Sequence, residues 1–373
     1  MTRKKILITG GAGFVGSHLA DALIGAGHEV RILDNLCQQV HGSAVPSYLT
    51  TDVEFVLGDM RNLDAVRNAV EGIDVIFHLA AAVGVGQSMY QISDYMGTNT
   101  QGTAVLLQAL LDRKTRVEKL VLASSMSIYG EGQYRCANCG DVSPEPRGSE
   151  QLAEKRWEVP CPNCGAELTP IPTAEGKPLQ CSSVYALSKK DQEEICLLYG
   201  CTYGLPVVAL RYFNIYGTRQ ALSNPYTGVA AIFASRLLHS RAPLVFEDGR
   251  QMRDFVSVHD VVRANLLAME SQSADGTAIN IGSGVPISIR EVALALARAM
   301  DLEVFCEITA KYRAGDIRHC FGDISKARSL LSYEPRVRFD DGVAELVEWL
   351  REQSSEDKAE RMVKELQIFG LTA

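Results

Sequence analysis

Short apolar runs alternate with longer amphipathic stretches along most of the chain. The apolar runs are rich in β-branched residues and predict strands over residues 5–8, 29–33, 54–57, 74–79, 119–123, 206–210 and 278–281. The stretches between them have helical spacing up to about residue 26 and over 64–70, 89–113, 183–202, 228–240 and 257–271. This alternation predicts an α/β protein whose parallel sheet is covered by helices on both faces.

The final part of the chain is helical in pattern. Ser288 is placed to cap an amphipathic helix that lasts to Met300, with Glu291 at the capping-box position. Further helices are predicted over 324–331 and 343–352. Residues 354–366 are charged and amphipathic, which predicts either a terminal helix or a docking segment.

A glycine-rich turn follows the first predicted strand. Gly10, Gly13 and Gly16 stand where the strand gives way to a helix, the arrangement that admits a dinucleotide pyrophosphate to the helix start. Asp34 ends the second strand, 18 residues after Gly16. A carboxylate there can bind both ribose hydroxyls and would repel a 2′-phosphate, so the pattern favours NAD over NADP.

Polar and small residues follow several of the predicted strands. Gly10, Asp34, Asp59, Ala80 and Ser125 all stand at carboxyl ends of strands. Ligands on parallel sheets bind at that edge, so these residues are expected to border one site.

A tyrosine and a lysine stand four residues apart in Tyr185-Ala-Leu-Ser-Lys189. On a helix they share one face. The ammonium would favour the phenolate and lower the pKa of Tyr185, which makes the pair a candidate acid/base for a sugar hydroxyl. Taken alone, the same spacing is typical of an ordinary amphipathic helix, so the interpretation depends on the other motifs.

These motifs together resemble one family. Over residues 4–350 the chain is similar to the extended short-chain dehydrogenases/reductases of the NAD-dependent epimerase/dehydratase group. The resemblance rests on Gly10–Gly16, Asp34–Leu36, Gly58-Asp59, His78–Ala81, Ser124–Gly130, Tyr185–Lys189, Arg211–Gly217, Arg253–Phe255 and Arg313-Ala314-Gly315-Asp316.

The resemblance implies roles for individual residues. Ser125, Tyr185 and Lys189 are the implied catalytic residues. Asn214, Arg253, Arg313 and Asp316 would bind substrate together with Ser125 and Tyr185, the two arginines holding its diphosphate. Tyr185 and Lys189 would also touch a tightly bound NAD, along with Gly10, Gly13, Phe14, Val15, Gly16, Asp34, Asn35, Asp59, Met60, Leu79, Ala80, Ala81, Asn99, Ser124 and Phe213.

The resemblance also implies an architecture. It predicts a Rossmann-type doubly wound parallel sheet in an NAD-binding domain over 1–211. Residues 131–181 are an insertion into that domain, and the four cysteines considered below predict that it is a zinc ribbon. A smaller C-terminal α/β region, 212–350, would mainly bind substrate, and 351–373 would form a helical tail. A homodimer is expected.

The reaction implied is transient oxidation of a sugar carbon. Dehydratases and decarboxylases of this family carry a carboxylate directly after the catalytic Ser/Thr, whereas here those places are Met126 and Ser127. The sequence therefore favours a nucleotide-sugar 4-epimerase. Val83 stands where some hexose epimerases have a lysine, which makes a UDP-galactose type of site a poorer match.

The substrate is left open by these motifs. The leading expectation is conversion of dTDP-L-rhamnose to dTDP-6-deoxy-L-talose. The alternatives are a UDP-glucose or UDP-uronate 4-epimerase and a nucleotide-sugar reductase or dehydrogenase. A different class is a non-catalytic NAD-sensing regulator, against which the complete Ser125, Tyr185 and Lys189 set argues.

Four cysteines lie between the catalytic serine and tyrosine. Cys136 and Cys139 form one CxxC pair and Cys161 and Cys164 another, each followed by glycine. This spacing predicts a four-thiolate structural zinc ribbon, with two disulfides or an iron–sulfur centre as alternatives. Four sulfurs leave no open position for water, so a catalytic metal is not expected. In most members of the family this connection is shorter, by an estimated ~30 residues.

Charge and composition restrict the partners. The net charge is −8, and residues 131–181 hold five basic and eight acidic side chains, which argues against nucleic-acid binding and anionic membranes. No apolar run has the length of a membrane span. Ten cysteines in 373 residues suggest reduced thiols and a cytoplasmic protein.

Overall fold

The computed structural model describes residues 2–42, 44–113, 116–303, 306–313, 315–353 and 356–372. Ala314 of the arginine motif and residues 354, 355 and 373 of the predicted tail lie outside the described residues. The strands, in chain order, are β1 (Lys5–Thr9), β2 (Glu29–Asp34), β3 (Glu54–Leu57), β4 (Val75–His78), β5 (Lys119–Ser125), β6 (Gln133–Cys136), β7 (Gly140–Val142), β8 (Leu168–Ile171), β9 (Val207–Tyr212), β10 (Asn214–Tyr216), β11 (Leu244–Val245), β12 (Met252–Ser257), β13 (Thr277–Ile281), β14 (Pro286–Ser288), β15 (Glu307–Ile308) and β16 (His319–Cys320).

The helices lie between and after these strands. In chain order they are α1 (Phe14–Gly25), α2 (Gln38–His41), α3 (Leu63–Ala69), α4 (Val85–Ser88), α5 (Ile92–Tyr95), α6 (Gly102–Arg113), α7 (Ser149–Ala153), α8 (Val184–Tyr203), α9 (Val229–Leu238), α10 (Val258–Glu270), α11 (Ile289–Ala299), α12 (Ser325–Leu331), α13 (Phe339–Leu350) and α14 (Ala359–Ile368). A π-helical turn, Met96–Gln101, separates α5 from α6, so the helix predicted over 89–113 is divided. Among the described helices, none has the length and hydropathy needed to cross a membrane.

The central sheet has the order β13-β9-β5-β4-β1-β2-β3, and its neighbouring strands all run parallel. This confirms the predicted doubly wound α/β fold. Strand β13 comes from the part of the chain assigned to substrate binding, yet it pairs with β9 from Thr277↔Val208 to Ile281↔Tyr212. The central sheet therefore contains strands from both sides of the predicted domain boundary at residue 211.

Both faces of the sheet are buried, as parallel sheets require. On β1, Ile6 and Ile8 belong to the core cluster that includes side chains of α1 and α10. Leu7, between them, belongs to the opposite cluster, with side chains of α3, α6 and α8. The alternation of side chains along the apolar run Ile6–Ile8 thus contributes to both layers.

A smaller mixed sheet completes the C-terminal half. Strand β12 pairs in parallel with β10 and β16 and antiparallel with β14. Its apolar cover comes from a third cluster that includes Phe255, Val292 and Leu346. These short strands are missing from the sequence-based prediction, because runs of two to six residues give little periodicity. They place Arg253 beside Cys320 and Met252 beside His319.

Candidate active site and cysteine cluster

Two positions of the glycine turn have no room for a side chain. Gly10 has φ +70°, and a Cβ there would lie 2.8 Å from the backbone of Ala80. A Cβ at Gly16 would lie 2.5 Å from the carbonyl oxygen of Gly10. Asp34 accepts from the backbone N–H of Ala12 at 3.1 Å and of Leu36 at 2.9 Å. The carboxylate is thus attached to the turn, where a dinucleotide would lie along both.

A cavity of about 850 Å³ begins at this turn and extends across the carboxyl edge of the sheet. Its walls include all the predicted catalytic and substrate residues and every predicted cofactor residue except Asn99: Gly10, Gly13, Phe14, Val15, Gly16, Asp34, Asn35, Asp59, Met60, Leu79, Ala80, Ala81, Ser124, Ser125, Tyr185, Lys189, Phe213, Asn214, Arg253, Arg313 and Asp316. One continuous cavity therefore brings together residues that are distant in sequence. It can hold an extended dinucleotide beside a second nucleotide, and these residues fit NAD.

Asn99 lies behind this wall. Its side chain is fully buried, and its amide pairs with both backbone groups of Ala82 and donates to Ser188 Oγ at 2.9 Å. It therefore fixes the loop after β4 against α8, one residue before Lys189. The predicted direct contact with the cofactor does not follow from this placement.

Asp59 marks the far end of the cavity. Arg61 donates to its carboxylate through Nε at 2.9 Å and Nη2 at 2.8 Å, and Asn35 donates at 3.1 Å. The side-chain bonds from Arg61 hold the pKa of Asp59 well below its usual range. A fixed anionic acceptor suits the amino group of a nucleobase.

Ser125 and Tyr185 meet at the centre of the cavity. Ser125 ends β5, and its Oγ lies 2.8 Å from the Oγ of Ser127. Tyr185 lies in the first turn of α8, which Ser183 caps by accepting from the N–H of Ala186. Burial raises the pKa of Tyr185, while a hydrogen bond with Ser125 lowers it. The net direction of the pKa of Tyr185 is upward, opposite to the predicted lowering, because desolvation of the phenolate is the larger of these two effects.

Lys189 is held by a residue that the motif reading missed. Its Nζ donates to Gln192 Oε1 at 2.8 Å, three residues along α8. Gln192 in turn donates to Thr103 Oγ1, which lies 2.9 Å from the Nε2 of the buried His78. Burial lowers the pKa of Lys189 to about 8. The i, i+3 spacing was the available signal for Gln192.

The substrate end of the cavity contains the two predicted arginines. Arg313 donates to Asp316 Oδ2 through Nε at 3.0 Å and Nη2 at 2.7 Å. Arg253 Nη2 lies 3.6 Å from the other oxygen of that carboxylate. The Oδ1 of Asn214 is buried and has no hydrogen-bond partner among the described residues. A substrate hydroxyl would satisfy it.

The terminal helix also reaches this cavity. Met362 and Leu366 of α14 line it, and Glu365 accepts from the hydroxyl of Tyr226 at 2.7 Å. Of the two expectations for the tail, a packed terminal helix is confirmed over Ala359–Ile368.

The four cysteines form one cluster at the tip of the insertion. Strand β6 pairs antiparallel with β7 and β8, which brings the two CxxC turns together. Their Sγ atoms all lie within 4.8 Å of one another, and Cys136 and Cys164 are 3.5 Å apart. Sulfurs around a tetrahedral zinc at ~2.3 Å would be about 3.8 Å apart, so this donor set fits one such ion.

Comparison with known proteins gives a consistent result. Residues 6–149 match the NAD dependent epimerase/dehydratase family, and residues 166–346 match a family described as GDP-mannose 4,6 dehydratase. The chain is 32% identical to a dTDP-L-rhamnose 4-epimerase from Burkholderia thailandensis over 94% of its own length and 96% of that protein. It is 33% identical to a UDP-N-acetyl-alpha-D-glucosaminuronate decarboxylase from Bacillus cytotoxicus, covering 94% and 98%.

A solved structure agrees with these relatives. The UDP-glucose 4-epimerase of Thermotoga maritima, crystallised with UDP-glucose, superimposes with a TM-score of 0.76 at 30% identity. The match covers 93% of this chain and 98% of that one. With the glycine turn, Asp34 and the Ser125–Tyr185–Lys189 set in place, the chain belongs to the NAD-dependent epimerase/dehydratase family of enzymes.

Proposed function

We propose that this protein is a nucleotide-sugar 4-epimerase that keeps NAD bound between turnovers. The observation that carries the proposal is the pair of side chains after Ser125. Met126 has no acid/base group, and Ser127 places a hydroxyl, not a carboxylate, 2.8 Å from Ser125 Oγ. Elimination of water or loss of CO₂ needs a further acid or base beside the reacting carbon, and these two positions do not supply one.

Tyr185 and Ser125 handle the proton in this mechanism. Ser125 Oγ would hold the C4 hydroxyl of the sugar, and Tyr185 would remove its proton while C4 loses a hydride. The keto-sugar then turns within the cavity, the hydride returns to its other face, and Tyr185 gives the proton back. NAD, bound along Gly10–Gly16 and Asp34, supplies the hydride acceptor and donor.

The other residues position the substrate. Arg253 and Arg313 would bind the diphosphate, which guanidinium groups match in geometry and charge. Asn214 would offer its free oxygen to a sugar hydroxyl. Lys189, placed by Gln192, would donate to the nicotinamide ribose and keep the phenolate of Tyr185 accessible.

The leading substrate is dTDP-L-rhamnose, with dTDP-6-deoxy-L-talose as product. The Burkholderia relative, a dTDP-L-rhamnose 4-epimerase, supports this choice over nearly the whole chain. UDP-glucose and UDP-uronate 4-epimerisation are the competing assignments, favoured by relatives such as the UDP-glucuronate 4-epimerase of Thermodesulfobacterium geofontis at 29% identity. A reductase or dehydrogenase on the same sugars is the third.

The cysteine cluster belongs to the same proposal as a structural Zn²⁺ site. Cys136, Cys139, Cys161 and Cys164 would saturate the ion, so it would neither bind nor activate the sugar. Residues 131–181 would thus form a zinc module on an NAD-binding part, 1–211, beside a part that mainly binds substrate, 212–350. A homodimer in the cytoplasm remains our expectation for the assembly.

The test is a screen of nucleotide sugars with purified protein and no added NAD. An epimerase converts dTDP-L-rhamnose or a UDP-hexose to its C4 epimer without external oxidant, and NAD is recovered on denaturation. A requirement for stoichiometric NAD would identify a dehydrogenase. Bound NAD with no conversion of any sugar would favour the regulator, and release of a 4-keto-6-deoxy product would establish dehydration.

A further inference from the structure

A cluster of charged side chains, most of them buried, joins the cysteine module to the substrate half. Glu131, Arg147 and Glu158 come from the module, and Glu247, Asp248, Arg318 and His319 come from the substrate half; these seven residues are called the ion cluster below. Five of them are buried, whereas Asp248 is partly buried and Glu158 is exposed. The side chains of Arg147, Glu247 and Arg318 are 0–1% exposed. Such complete burial is uncommon for arginine and glutamate unless they are paired.

Arg147 makes the direct bridge. Its two terminal nitrogens donate to the two carboxylate oxygens of Glu247 at 2.8 and 2.9 Å. Nη2 also donates to the backbone carbonyl of Asp316 at 3.0 Å. Arg147 therefore binds the backbone of Asp316, the residue whose carboxylate orients Arg313.

Glu131 holds the next peptide units. It accepts from the backbone N–H of Arg318 at 2.8 and 3.0 Å and of His319 at 3.3 Å. The side chain of Arg318 donates to Glu158 of the module at 3.1 Å and to Asp248 at 2.7 and 2.9 Å. The segment 315–319 is thus fixed by module residues through both its backbone and its side chains.

The opposite side of this segment holds the arginines of the cavity. Arg253 Nη1 donates to the carbonyl of Arg318 at 3.0 Å, and Nη2 donates to that of Ile317 at 2.5 Å. Arg313 is oriented by Asp316. A shift of the segment would therefore move both guanidinium groups together.

We infer that Arg147 and Glu131 are positioning residues for substrate binding, which set the two diphosphate arginines through segment 315–319. The inference rests on the proposed function in that it assigns a nucleoside diphosphate to Arg253 and Arg313. It adds a role for the inserted module that does not involve contact with the sugar. Neither Arg147 nor Glu131 lines the cavity.

The test compares two arginines of the same module. Arg147→Met keeps much of the side-chain volume but removes the bridge, whereas Arg135→Met removes an exposed pair with Asp141. Calorimetry with dTDP and with UDP should show binding weakened by about tenfold or more in Arg147→Met, because a buried pair has lost one partner. Arg135→Met should bind like the wild type, since exposed pairs contribute little.

Further readouts separate positioning from general damage. In Arg147→Met, KM for the sugar nucleotide should rise more than kcat falls, and bound NAD and metal content should be unchanged. Arg147→Lys should restore part of the affinity, because it keeps the positive charge but cannot bond a carboxylate through two nitrogens at once. If Arg147→Met does not fold, Glu131→Gln provides the same test with a smaller expected loss.

Two results would overturn the inference. Unchanged dTDP and UDP affinity in folded Arg147→Met would separate the module from the diphosphate arginines and leave the proposed function intact. Failure of the wild type to bind either nucleotide would overturn both the inference and the proposed function.

Discussion

The two ends of the cavity are built in opposite ways. At the NAD end, Gly10–Gly16 and Asp34 are contacts between neighbouring segments, with Asp34 binding Ala12 only 22 residues away. At the substrate end, Glu131 binds the N–H of Arg318, 187 residues away, and Arg147 binds Glu247, 100 residues away. The first region is a local motif, whereas the second exists only after the whole chain has folded. Changes at one end should therefore leave the other intact.

Tyr185, the proposed catalytic tyrosine, lies between the two ends, and its removal should have the largest effect. Tyr185→Phe deletes the acid/base group while keeping the ring, so kcat should fall ~10²-fold or more. Bound NAD and affinity for dTDP or UDP should persist. Steady-state turnover beside calorimetry checks this, and a variant with near-normal kcat would contradict the role of Tyr185.

Loss of the metal should disturb the substrate end alone. Cys161→Ser removes one of the four proposed ligands, and with it the free energy that a bound ion would contribute to ordering the module. Zinc should be lost and activity should fall ~10-fold or more, because the supports of segment 315–319 loosen. Hydrogen exchange should rise between residues 131 and 181, while NAD stays bound.

The matched control for this change is Cys201→Ser, an exposed thiol outside the cluster, which should retain zinc and activity. Less than a tenth of an equivalent of zinc in wild-type protein prepared without chelators would contradict the metal assignment. A kcat that followed the Lewis acidity of substituted metals would instead indicate a catalytic ion.

The converse change disturbs the NAD end alone. Asp34→Ala removes the acceptor for the ribose hydroxyls, so NAD should bind about tenfold more weakly, the equivalent of ~1.4 kcal/mol, and NADP should gain relative to NAD. Substrate nucleotide affinity should not change. Equal binding of NAD and NADP by the wild type in calorimetry would show that Asp34 does not select the cofactor.

The smallest expected effect is a decline of activity at high pH, which should depend on Lys189, between the two ends of the cavity. The pKa of Lys189 is lowered by burial to about 8, so its ammonium is complete below that pH and is lost as pH rises through it. Activity that depends on this ammonium should be about half its maximum near pH 8 and decline above it. Lys189→Arg stays charged and should lack this decline; an identical pH profile in that variant would assign the decline to another group.

The same contrast explains what could be predicted from the sequence. The doubly wound parallel sheet is confirmed, and Gly10, Asp34, Ser125 and Tyr185 line one cavity. These residues could be recognised because each belongs to a short motif. The contacts of the Asn99 amide with Ala82 and Ser188 could not be predicted, because its motif position does not reveal them. Arg318 and Glu247 have no motif at all, since their partners are fixed only by tertiary packing.

The two ends of the insertion lie next to each other on the NAD-binding fold. The N–H of Gln180 donates to the carbonyl of Ile128 at 3.1 Å, and a Cβ at Gly130 would lie 2.2 Å from the carbonyl oxygen of Gln180. Segments with adjoining ends can be lengthened or shortened at small entropic cost.

The ion cluster makes changes in the length of the insertion less tolerable, because its side chains link the module to the substrate half. Deleting the segment would remove Glu131, Arg147 and Glu158, so Arg318 would keep only Glu247 and Asp248 as charged partners among the described residues. The backbone N–H groups of Arg318 and His319 would lose their acceptor, which is unfavourable wherever those groups stay buried. During evolution of the family, the gain or loss of this insertion is therefore expected to coincide with substitutions at positions 247, 248 and 318. A count of paired changes across relatives with and without the four cysteines would measure that coupling.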